Sequence, residues 1–120
     1  MDNRAKGTTG EAQAAEYLRQ KGYVVLQQNW RSKLGELDII ASEKDTLVFV
    51  EVKSRKSSAF GTAAQAVNPR KQQKIIKTAM GYLKSRGIVD KDVRFDVVSI
   101  TGEEVELIKN AFQSDGRYRY

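Results

Sequence analysis

The sequence holds no cysteine and no histidine. Without cysteine there are no disulfides, thiolate zinc sites or cysteine nucleophiles. Without histidine, serine–histidine hydrolases, histidine-based nucleases and most zinc sites are excluded as well. Proline occurs once, and 40% of the residues are hydrophobic, a balance that argues against disorder. No apolar run approaches the ~20 residues that a membrane span needs. Arg4 and Lys6 are not followed by the apolar stretch of a secretory signal, so the expectation is a cytoplasmic protein with no membrane partner. Any hydrolytic site must be built from Asp, Glu, Lys, Arg, Tyr and hydroxyl groups. Such oxygen donors favour Mg²⁺ or Mn²⁺ as cofactor.

What the chain has in excess is positive charge. Lys and Arg number 21 against 15 Asp and Glu, a net charge of +6 and a pI near 9.6. That surplus favours nucleic acid or another anionic partner. At 120 residues the chain is long enough to bury a core, so residues 1–120 read as one domain, with 1–7 and 113–120 as mobile ends.

Residues 35–53 organise the rest. Leu37, Asp38, Ile39 and Ile40 read as one strand, Glu43 to Thr46 as a polar turn, and Leu47 to Lys53 as a second strand rich in β-branched and aromatic residues. Side chains alternate along a strand. Val48, Val50 and Val52 therefore share one face, and Leu47, Phe49, Glu51 and Lys53 the other. If Ser42 pairs with Leu47, Asp38 falls opposite Glu51 on the same face. Asp38, Glu51 and Lys53 then meet at one strand end. Two carboxylates and an ammonium suit phosphodiester hydrolysis. The carboxylates are hard ligands for Mg²⁺, and the lysine orients water or offsets phosphate charge. The competing reading is a solvated hairpin end whose charges pair weakly, at ~0–1 kcal/mol. Against it stands the apolar context: a strand covered on both faces does not end in charges without a reason.

Thr8 to Glu11 fits a capping box opening a helix that Gly22 closes, with Ala12, Ala14, Ala15 and Leu18 as its small-residue face. Glu11 lies on the stripe of Ala14, Ala15 and Leu18, so it either caps the helix or faces the site, and the two roles can coexist. Tyr23–Gln28 reads as the first strand, with Val24 and Leu26 on one face, and Asn29–Lys33 as a bend or extension. Trp30, beside Arg31 and Lys33, can stack on a base, although packing on the sheet is preferred. Glu36 shares the face of Asp38 and is a further metal candidate. Arg55 and Lys56 follow the second site strand and can grip flanking phosphates; residues 56–64 read as disordered or as closing on binding. Asn68-Pro69 opens the second helix, with Ile75, Ile76, Ala79, Met80 and Leu83 buried and Gly87 as its end. Arg70 and Lys71 at its start are candidates for nucleic-acid contact. Val93–Ile100 and Val105–Ile108 are the last strands, and Asp96 among apolar neighbours reads as structural.

Asp38, Glu51-Val52-Lys53 and Gly35-Glu36-Leu37 resemble the core of PD-(D/E)xK nucleases. More narrowly, the chain resembles the YraN family of small bacterial endonuclease-like proteins, related in fold to archaeal Holliday-junction resolvases. Gly10-Glu11, Asn29, Gly35 to Ile40, Val48 to Arg55, Phe60-Gly61, Arg94 to Val98 and Asn110 to Phe112 carry that resemblance. It implies an α/β fold with a restriction-endonuclease-like core: a mixed five-stranded sheet flanked by helices, in the order αβββαββ. It also implies a metal site on Asp38 and Glu51 with the Val52 carbonyl and Glu36, a catalytic Lys53, and Glu11 near the metal. The activity implied is Mg²⁺-dependent cleavage of branched or structured DNA, to which a homodimer would be suited. Leu37 stands where the motif's proline would be, and Gln65 where some members carry an acid. The alternatives are a nucleic-acid-binding module that kept the nuclease fold without turnover, and an assembly protein whose charge is incidental.

Overall fold

The computed structural model describes residues 3–55 and 67–114. The elements are α1 (Asn3–Gln20), β1 (Val24–Ser32), β2 (Gly35–Glu43), β3 (Thr46–Arg55), α2 (Pro69–Ser85), β4 (Asp92–Thr101) and β5 (Glu104–Phe112). The strands form one sheet in the order β1-β2-β3-β4-β5. β1, β2 and β3 make an antiparallel meander, β4 lies parallel to β3, and β5 returns antiparallel to β4. A parallel neighbour requires a crossover, which α2 supplies. This is the expected mixed α/β sheet.

Each helix covers one face. The small stripe of α1, Ala14, Ala15 and Leu18, lies on Ile39, Ala41, Val48, Val50 and Val98. On the other side α2 sets Ile75, Ile76, Ala79, Tyr82 and Leu83 against Leu37, Ile40, Leu47, Phe49 and Phe95. The alternation of β3 is thus satisfied in both directions, and each large apolar side chain fully withdrawn from water contributes ~1.5–3 kcal/mol. Trp30, Tyr82, Phe49, Phe95 and Phe112 form a chain of ring contacts with centroids 5.2–5.8 Å apart. Trp30, on β1, therefore packs against Tyr82 of α2 at the margin of the core. Among the described residues no helix is long and apolar enough to cross a membrane.

The helix at Pro69 begins as expected: the Asn68 side chain accepts the Lys71 N–H at 2.9 Å, and Pro69 fills the first position. Thr78 and Tyr82 join its buried face, whereas Met80 is half-buried. Other expectations need correction. α1 starts at Asn3, so residues 3–7 are helical and Thr8 is interior rather than a cap. Arg4, Ala5 and Lys6 are good helix formers and carry the helix upstream past the capping pattern. Ala12 is exposed, not part of the buried stripe. β1 runs on to Ser32 because Asn29 takes a left-handed φ of 55°, which asparagine tolerates, and pairing resumes at Trp30 with Leu37. Val24 and Leu26 are exposed to solvent, while Val25 between them packs against the core. β5 extends four residues past Ile108. A register shift between Phe95 and Val97, with the Asn110 N–H donating to the Asp96 side chain at 2.9 Å, lets Phe112 reach Phe95.

Candidate active site

The sheet forks at one end. Pairing of β2 with β3 stops at Ile39–Val50. Beyond that rung β2 continues against β1 as far as Gly35, while β3 continues against β4 as far as Arg55. Asp38 and Glu51 are the first residues past the rung, one on each arm. In place of a backbone rung, the Val52 N–H donates to the Asp38 Oδ2 at 2.9 Å. In a strand the N–H and C=O of one residue point toward the same neighbour, so the Val52 carbonyl is also directed into the fork.

The first turn of α2 closes this notch from one side. Lys71 Nζ lies 3.0 Å from Glu51 Oε1. Asp38, Glu51, Lys71 and Lys74, with Gly35, Glu36 and Ile75, line a pocket of about 260 Å³. The helix can approach because position 35 is glycine. Gly35 has φ +150°, and a Cβ there would lie 2.8 Å from Thr78 Oγ1. That hydroxyl donates to the Lys74 carbonyl at 2.8 Å and lies 3.3 Å from the Leu34 carbonyl, which brings the β1–β2 turn against α2.

Burial and mutual repulsion set the electrostatics. Burial, and then the neighbouring Asp38, push the Glu51 carboxyl up to about 7. Burial also raises Asp38, with the Val52 N–H and Glu51 hydrogen bonds acting the other way. Glu11, on α1, is raised by burial and then by Asp38, while a hydrogen bond from Asn29 opposes. Its Oε2 is buried with no hydrogen-bond partner among the described residues. Glu51 in turn holds the Lys71 ammonium above its ordinary value.

Asp38 and Glu51 are thus brought together, with Glu11 close enough to feel Asp38. Glu36 lines the pocket but is largely exposed and pairs with Arg31 at 3.1 Å. Lys53 lies two residues past Glu51, half-buried, outside the pocket lining and with no ion pair among the described residues. Arg70 is exposed in the first turn of α2, and Arg55 is half-buried at the end of β3. Lys56, Phe60-Gly61, Gln65 and the whole 56–64 segment read as disordered or closing on binding lie outside the described residues, as do the terminal residues 115–120. Sequence reasoning assigned Lys71 to the nucleic-acid backbone and missed its contact with Glu51. It also missed Lys74 and the close approach at Gly35. Only the position of both lysines in the first turns of a helix following the Glu51 strand hinted at this.

The donor set fits a hard divalent cation. Two carboxylates and a carbonyl face one notch, and the buried carboxylates lack enough positive charge to stay ionised easily. Among the described residues no three acidic side chains converge into a complete shell. Two carboxylates with water for the remainder is the coordination habit of Mg²⁺. Asp96 belongs elsewhere. It is fully buried and accepts from the Tyr23 hydroxyl at 2.8 Å and from Arg94 at 2.9 and 3.0 Å. Arg94 also reaches Glu43 at 2.7 Å, beside Lys109. That network braces the far end of the sheet, so the structural reading of Asp96 agrees with its surroundings.

The sequence model of the uncharacterised protein family UPF0102 matches residues 10–100. A UPF0102 protein of Persephonella marina is 48% identical over 110 residues, covering 92% of this chain and 95% of that protein. One from Syntrophus aciditrophicus is 46% identical over 115 residues, covering 92% and 91%. One from Clostridium botulinum is 44% identical over 118 residues, covering 92% and 96%. The match takes in α1 from Gly10, the fork and α2, and on that evidence the chain belongs to the UPF0102 family, which is the YraN family.

Proposed function

We propose that the protein is a Mg²⁺-dependent nuclease hydrolysing phosphodiester bonds in branched or otherwise structured DNA. The observation that supports this most is the fork: Asp38 and Glu51 side by side at the end of two central strands, in a pocket rimmed by Lys71 and Lys74. Asp38, Glu51 and the Val52 carbonyl would hold the metal, with Glu11 or Glu36 assisting. A bound Mg²⁺ supplies an activated water and offsets charge on the phosphate. Lys53, on the Glu51 side of β3, would orient the attacking water. Arg31, Arg55, Lys56 and Arg70 would hold flanking phosphates without reading sequence. The preference for branched DNA rests on the resemblance to resolvases, and a homodimer would let two such sites cut two strands.

The test is cleavage of plasmid and of a four-way junction by purified protein with Mg²⁺ or Mn²⁺. Asp38→Ala and Glu51→Ala should each abolish it while the circular dichroism spectrum is kept. Cleavage persisting in both variants would overturn the assignment. One observation favours a second reading, a binding module without turnover: Lys71 already pairs with Glu51, where a metal would sit. Tight junction binding with no cleavage in any divalent ion would establish that reading instead.

A further inference from the structure

We infer that Lys71 is an exchangeable cation: it occupies the Glu51 carboxylate until a divalent ion arrives, and then moves to the substrate phosphate. The inference rests on the nuclease reading. The two members of this pair are unequally placed. The Glu51 side chain is 8% exposed and fixed on a central strand, while that of Lys71 is 50% exposed, with room to leave. The Lys71 backbone does not need to move. Its N–H is held by the Asn68 side chain and its turn is set by Pro69, so only the flexible four-carbon stem swings.

The competition is chemical as well as spatial. An ammonium and a divalent ion both draw on the charge of the one Glu51 carboxylate. A metal on Asp38 and Glu51 would place two further positive charges beside Nζ and make the 3.0 Å contact unfavourable. The pocket is the space into which the released side chain can turn, and the substrate phosphate is the anion delivered there. Lys71 would hold the acids together in the empty protein and reach the phosphate in the loaded one. Lys53, not engaged with Glu51, keeps the separate task of orienting water.

The experiment measures Mn²⁺ affinity of metal-free protein without DNA, by electron paramagnetic resonance of the free ion, alongside junction cleavage. Lys71→Met should bind Mn²⁺ about fivefold more tightly, the scale of a half-exposed ion pair. It should cleave about a hundredfold more slowly, the scale of one lost charge-stabilising donor. Lys71→Arg, which keeps the charge, should bind Mn²⁺ as the wild type does. A thermal melt checks that each variant folds, and Lys71→Gln replaces the methionine variant if that one does not. Equal or weaker Mn²⁺ binding by the neutral variant overturns the exchange but leaves the nuclease reading intact, provided the wild type binds metal and cuts. A wild type that neither binds Mn²⁺ nor cleaves overturns both.

Discussion

Ionising Glu51 works against the fold. Its carboxyl titrates at about 7 in the folded protein, against an ordinary value of 4.5, because of burial and then Asp38. Between those pH values the folded chain retains a proton that the unfolded chain has released. The folded state then binds more protons, so stability falls as pH rises from about 4.5 to about 7 and stays reduced above. In chelator at pH 8, Glu51→Gln should therefore be more stable than wild type by about 1–3 kcal/mol. At pH 4, where both are neutral, the two should agree. Urea denaturation at the two pH values checks this, and a variant no more stable at pH 8 would refute it. Asp96 gives the opposite case. Asp96→Ala would leave the Tyr23 hydroxyl and the Asn110 N–H without their acceptor and Arg94 with Glu43 as its remaining carboxylate, so it should cost about 3–5 kcal/mol in the same assay. The meeting of Asp38 and Glu51 was legible in the sequence because alternation and the Glu43–Thr46 turn leave one register that buries the apolar residues. The Lys71–Glu51 contact was not. How a helix docks on a sheet depends on the packing of Ile75, Ile76 and Ala79, which local sequence does not encode.

The β1–β2 hairpin and α2 act as a joined pair of elements. Leu34 lies against Gly81, where a Cβ would come 2.5 Å from its Cδ1, and Gly35 lies against Thr78. Because Glu36 and Asp38 follow directly, the seating of this hairpin sets one wall of the pocket. Gly35→Ala introduces both an unfavourable φ and a clash with Thr78 Oγ1. It should lower stability by about 1–3 kcal/mol and weaken Mn²⁺ binding together with it. Denaturation and metal titration of one preparation check the coupling; loss of stability with unchanged metal affinity would show that hairpin and site are independent. Element types and order were readable from periodicity and turn residues. Element ends were harder. The capping pattern at Thr8 was overridden by helix formers upstream, and β5 outran its apolar stretch because the Asp96 side chain bonds the Asn110 backbone.

Over the whole molecule, the +6 charge and the cations near the fork should make the proposed DNA affinity a steep function of salt. For about five phosphate contacts, the logarithm of affinity should fall with the logarithm of salt at a slope near −4.5. Arg70→Ala should lower that slope by about 1 and leave Mn²⁺ affinity unchanged, as fluorescence anisotropy across a salt series would show. A salt-independent affinity would mean that charge is incidental to binding. The hydrogen bond from the Val52 amide to Asp38 has a consequence for reading such experiments. That carboxylate is a splint spanning two diverging ribbons as well as the proposed grip for an ion. Damage there would unfasten a seam and, on the proposed reading, disarm the chemistry in one stroke. Its counterpart on the other ribbon is tied instead to the first turn of α2 through Lys71, so a lesion at 51 loosens a helix contact without removing either partner of that seam.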